Sequence, residues 1–169
     1  MTYFSNMLLA LDGSAPSDAA LAAACSLARD RGGRVTAAYV CEPRPHLHGH
    51  HVDWKGGETA ARRDAFTVLR RASEAAREGY GLTMETKCLD GEVVPEIVAE
   101  AERLGADTIV IGSHGRDGLK RVLLGSVAEG LMRTSPVPVL VVHAAASHAA
   151  GKDGAPPVAT VRADAPRHG

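Results

Sequence analysis

The sequence predicts an α/β protein built on a single open, five-stranded parallel sheet, doubly wound with helices on both faces. Three observations predict it. Short apolar runs of strand length alternate with longer stretches of helical spacing, in the order β-α-β-α-β-α-β-α-β. The joints between them are short and carry Gly, Asp, Ser or Pro. Most of the runs are continuously apolar, which suits strands covered on both faces.

The first run, Met7 to Leu11, is closed by Asp12-Gly13. Ser14 to Ser17 supplies helix-start chemistry, with Pro16 favoured in a first turn. Leu21, Ala24, Cys25 and Ala28 follow at helical spacing until Gly32-Gly33, and Val35 to Val40 is the second strand. Strand, helix and strand with short joints mark a right-handed parallel crossover. A second helix is expected from about Glu58, with Ala61, Ala65, Val68, Leu69, Ala72 and Ala76 on one stripe and Gly79 and Gly81 closing it.

Leu82 to Leu89 alternates instead, so this third strand is expected at a sheet edge with one wet face. A helix over Val93 to Leu104 should turn Val94, Ile97, Val98, Ala101 and Leu104 inward, with Gly105 as its stop. Thr108 to Gly112 is the fourth strand, Ser126 to about Thr134 the last helix, and Val139 to Val142 the last strand. Pro138 is tolerated only at a strand's start or edge. Residues 144–169 are rich in Ala, Gly and Pro and keep no period, so a disordered tail is expected after a domain of residues 1–143.

A chain of 169 residues suits one domain. Its formal net charge is −1, from 19 Lys plus Arg against 20 Asp plus Glu. That balance gives no general field for nucleic acid or an anionic membrane, so any anion site must be local. Cys25, Cys41 and Cys88 lie far apart in apolar contexts, which reads as buried thiols in a reducing compartment. No apolar run reaches the ~18 residues of a membrane span, and the opening residues lack a basic start and a cleavage site. A cytoplasmic address is the expectation.

The stretch that carries chemistry is Gly112 to Ser126, GSHGRDGLKRVLLGS, between the fourth strand and the last helix. Its spacing is G-x2-G-x9-G-S, through Gly112, Gly115, Gly125 and Ser126. It is neither a P-loop nor a dinucleotide turn. Glycines there let the backbone approach a bulky anion, which the N–H groups of a helix start then face. Asp12-Gly13-Ser14 and Val40-Cys41 also end strands, and in a doubly wound sheet ligands sit at such ends, where the strand order reverses.

The opening LLALDGSAPSDAAL, the run GADTIVIGSHGRDGLKRVLLGSVAEGLMRTSPVPVLVV and the element order between them resemble a universal stress protein domain of the ATP-binding kind, from about Asn6 to His143. The resemblance implies a flavodoxin-like or Rossmann-like sheet of order 3-2-1-4-5. It also implies a homodimer through Val139–Val142 and ATP in the crevice between strands one and four. By the same resemblance the main chain at Val40 holds adenine, and Gly112, Gly115, Gly125, Ser126 and Val127 hold ribose and phosphates.

Asp12 matches the acidic residue that closes the first strand. A carboxylate repels a triphosphate, so Asp12 should bind a ribose hydroxyl or act through Mg²⁺ or Mn²⁺. The other reading of Asp12 is a turn carboxylate, and that of Ser126 an N-cap. His114 and Arg116 either steady the γ-phosphate or are solvated loop side chains. The cluster His46, His48, His50, His51 and Asp53 is more readily a loose loop than a metal site, since nothing in it fixes geometry.

No general base and no arginine finger is identifiable, so no residue is assigned as catalytic and at most slow ATP hydrolysis is expected. The expected function is an ATP-binding regulatory module of the stress response. The rivals are a nucleotide-independent dimeric interaction protein and a slow ATPase or nucleotidyl transferase.

Overall fold

Right-handed crossovers dictate the face on which each helix lies once the strand order is known. The computed structural model describes residues 3–42, 60–114 and 124–144. Its elements are β1 (Asn6–Ala10), α1 (Ala15–Arg31), β2 (Arg34–Cys41), α2 (Ala60–Tyr80), β3 (Glu85–Asp90), α3 (Val93–Leu104), β4 (Thr108–Gly112), α4 (Ser126–Thr134) and β5 (Val139–Val142). The five-stranded sheet runs β3-β2-β1-β4-β5, with every pair parallel. The chain winds outward through α1 and α2 in one direction, then returns past β1 and winds through α3 and α4 in the other. The two helix pairs therefore cover opposite faces.

Each face has its own core. Met7, Leu9, Ala37 and Val110 pack under α1 and α2, while Leu8, Ala10, Ile109 and Ile111 pack under α3 and α4. Met7, Leu8 and Leu9 are each 0% exposed, which explains why β1 reads as an unbroken apolar run rather than an alternating one. Leu21, Ala24, Cys25 and Ala28 of α1 are buried, as their spacing predicts.

Two details depart from expectation. Strand β3 begins at Glu85 rather than Leu82, because the Leu82 N–H is committed to capping α2. It donates to the Ala76 carbonyl at 3.1 Å, around Gly81 at φ +68, so pairing with β2 starts only at Thr36 opposite Glu85. On α3, Glu100 is buried beside Ile97 and Ala101, with its carboxylate held in a forked pair by Arg103, one turn on. The guanidinium stays at the surface while its hydrogen bonds satisfy the buried acid.

Candidate functional site

Strands β1 and β4 are neighbours whose following helices leave to opposite faces, so a crevice opens at their carboxyl ends. It holds a cavity of about 540 Å³, within the ~300–1,000 Å³ usual for small-molecule sites. Of the residues expected there, Asp12, Val40, Gly112, His114, Gly125, Ser126 and Val127 line it. Gly13 and Ser14 do not; they form the turn behind Asp12. Gly115, Arg116 and the histidine cluster lie outside the described residues.

The turn after β1 is closed by its own side chains. Asp12 Oδ1 accepts the Ser14 N–H at 2.9 Å and the Ser14 hydroxyl at 2.7 Å, and Gly13 takes φ +80, which favours glycine. Ser14 is the N-cap of α1, its Oγ accepting the Ser17 N–H at 3.3 Å. Asp12 therefore performs the turn role with one oxygen while also facing the cavity.

Gly112 is needed for a reason the sequence conceals. A Cβ there would lie 2.6 Å from the Pro16 carbonyl carbon and 2.8 Å from the Ser17 nitrogen. The missing side chain lets the first turn of α1 sit against β4. Immediately beyond, the Ser113 N–H donates to the Val142 carbonyl at 2.8 Å and the Gly125 N–H donates to the Ser113 carbonyl at 2.7 Å. Ser113 and Gly125 are thus held directly together.

Helix α4 starts differently from α1. Its N-cap is Gly125, at φ −74 and ψ 153, with no side-chain cap. Ser126 is the first helical residue and not the cap, which removes that reading of it. The first-turn N–H groups of α4 have no intrahelical acceptor, and they carry the positive end of the helix dipole. Across the cavity, the Ala38 carbonyl accepts the Leu11 N–H at 2.9 Å, the last rung between β2 and β1. Backbone groups alternate sides along a strand, so those of Val40, two residues on, face the same way, past the end of β1.

Sequence reasoning missed several lining residues. Ser113 and Glu42 each follow the last residue of a strand, a position that by itself predicts the crevice. Val93 and Ile97 line it too, but helical periodicity marks Ile97 only as core. The charged residues of the described lining are Asp12, Glu42 and Glu129, and no Lys or Arg is among them. Among the described residues no group of three or more His, Cys, Asp or Glu is arranged to hold a metal ion, and no helix is long and apolar enough to cross a membrane.

This architecture has relatives. The model of the universal stress protein family matches residues 4–143. The chain belongs to that family. A universal stress protein of Methanocaldococcus jannaschii, MJ0531, is 33% identical over 140 residues, covering 82% of this chain and 82% of the relative. The crystal structure of a family protein from Burkholderia pseudomallei superposes with a TM-score of 0.65 at 30% identity, covering 82% of this chain and 96% of that one. A universal stress protein from Archaeoglobus fulgidus, described in complex with dAMP, shares the fold with a TM-score of 0.58 at 24% identity, over 84% of this chain and 99% of that one.

Proposed function

We propose that this universal stress protein binds ATP in the β1/β4 crevice and acts as a nucleotide-dependent regulatory module. The observation that carries the reading is the start of α4, a helix N-terminus capped by a glycine with no side chain, opening into the cavity. Donors left without a cap and with the dipole behind them suit phosphate oxygens. In this reading the phosphates lie over Gly125, Ser126 and Val127, with Gly112, His114, Gly115 and Arg116 along the loop, and adenine meets the open backbone of Val40. The dAMP complex of the Archaeoglobus fulgidus protein supports an adenine nucleotide as the occupant class.

The acidic lining sets a condition. Asp12, Glu42 and Glu129 would repel a bare triphosphate, so neutralising charge must come with the ligand or from the loop after His114. Mg²⁺ and Mn²⁺ are commonly held by one or two carboxylates plus phosphate oxygens, and Asp12 fits that part. Residues 1–143 form the nucleotide domain in this reading. The module is cytoplasmic, and its outer strand β5 supplies the homodimer contact through Val139–Val142.

Calorimetric titration of nucleotide-stripped protein tests the reading, with heat of ATP binding expected below millimolar concentration. No heat in that range overturns it. Asp12→Asn keeps an oxygen for the Ser14 hydrogen bonds and removes the charge. Affinity for ATP should then fall in Mg²⁺ but not in a chelator; an equal effect in both would remove the cation from the reading.

A further inference from the structure

Cys41 and Cys88 stand far apart in the sequence and were expected to be separate buried thiols. The fold brings them together. Strands β2 and β3 pair with Tyr39 opposite Cys88 and Cys41 opposite Asp90, so the two cysteines are diagonal neighbours on one face. Their sulfurs lie 3.4 Å apart, and both are free thiols. We propose that this pair is a redox modification site, which closes to an intrachain Cys41–Cys88 disulfide when the protein meets a peroxide.

The two sulfurs differ in access, and the difference orders the chemistry. Cys41 is buried at the end of β2, whereas Cys88 is half-buried on the edge strand. A second cavity of about 310 Å³, between α2 and β3, reaches Cys88 and is bordered by Phe66, Arg70, Glu74 and Thr86. Burial pushes the Cys41 thiol up to about 12; the Cys88 hydrogen bond and the nearby Asp90 act in the same direction, and Arg62 opposes them. Cys41 therefore keeps its proton at neutral pH, and the accessible Cys88 meets the oxidant first.

In the first step the Cys88 sulfur attacks hydrogen peroxide. An S–O bond forms, the O–O bond breaks and one water leaves, giving a sulfenic acid. In the second, the Cys41 sulfur attacks the Cys88 sulfur. The S–S bond forms, the S–O bond breaks, and hydroxide departs as a second water with the Cys41 proton. Two thiols lose two electrons to one peroxide, and an added dithiol reverses the change. Cys25, under α1 at 0% exposure, has no such neighbour and stays reduced.

The bond would tie the edge strand β3, which among the described residues pairs only with β2, to the strand whose end forms a wall of the β1/β4 crevice. The site stands on its own geometry and does not depend on nucleotide binding.

The test uses the full chain at equimolar hydrogen peroxide, followed by alkylation under denaturing conditions and non-reducing peptide mapping. One linked peptide pair containing Cys41 and Cys88 is expected, from a species that remains a single chain and disappears with dithiothreitol. Cys25→Ser should give the same linked pair. Cys41→Ser should leave a Cys88 sulfenic acid that dimedone traps, while Cys88→Ser should leave Cys41 unoxidised. A bond to Cys25, a bond between two chains, or over-oxidised Cys88 beside a reduced Cys41 in the unsubstituted protein would each overturn the proposal.

Discussion

Helices α1 and α4 follow the two strands that frame the crevice, and their starts are finished in opposite ways. Helix α1 closes its own start: Ser14 caps it, Asp12 holds Ser14, and Gly112 lets its first turn press on β4. Helix α4 starts on Gly125, which has no side chain to cap its first N–H groups. One start is a structural joint, and the other is the one the proposed function assigns to phosphate. The difference shows that glycines in one loop can serve unlike purposes, since Gly112 makes room for a helix and Gly125 leaves donors uncapped.

If this division is right, changes at α4 should alter ligand binding and changes at α1 should alter stability. The largest effect is expected from Gly125→Asp. A carboxylate cap would occupy the α4 donors and repel phosphate, lowering ATP affinity about 100-fold, or ~2.7 kcal/mol. The same change should leave the urea midpoint equal or slightly higher, since Asp caps a helix at least as well as Gly. Loss of both binding and stability would break the comparison.

On the other side, Gly112→Ala should cost about 2 kcal/mol in urea unfolding, through overpacking against the Pro16 carbonyl. Ser14→Ala should cost about 1 kcal/mol from the lost cap and change ATP affinity much less than Gly125→Asp does.

The smallest effect concerns Cys25, on the buried face of α1. Burial pushes its thiol from 9.0 to about 11. The unfolded chain releases that proton from about pH 9, while the folded chain keeps it until about pH 11. Unfolding then releases a proton, so stability should fall as pH rises through this window. Denaturation of the protein and of Cys25→Ala at pH 8 and pH 10 measures it; the variant should show the shallower fall.

The elements themselves were largely legible. Strands β4 and β5 and helix α4 have the bounds that Gly112, Ser135-Pro136 and Pro138 mark, because glycine and proline constrain the backbone locally. The start of β3 was not, since Leu82 satisfies the strand pattern equally well but its N–H is claimed by the end of α2. At the cavity, strand ends located Asp12, Val40 and Gly112. The same rule reaches Ser113 and Glu42, one residue past a strand end, whereas Val93 lines the cavity only because of which elements meet.

What the sequence determined by itself is local: which segments are strands or helices, which face of each is apolar, and where the chain must turn. Side-chain period and backbone restriction act over a few residues, so one chain read in order reveals them. What only the tertiary structure decided is register and contact at long range. It set the Cys41 sulfur at 3.4 Å from that of Cys88 across 47 positions, packed Gly112 on Pro16, and gave one of two neighbouring helix starts a side-chain cap and the other a glycine. Such contacts follow from how crossovers stack on the sheet, a property of the assembled layers that no short stretch of sequence carries.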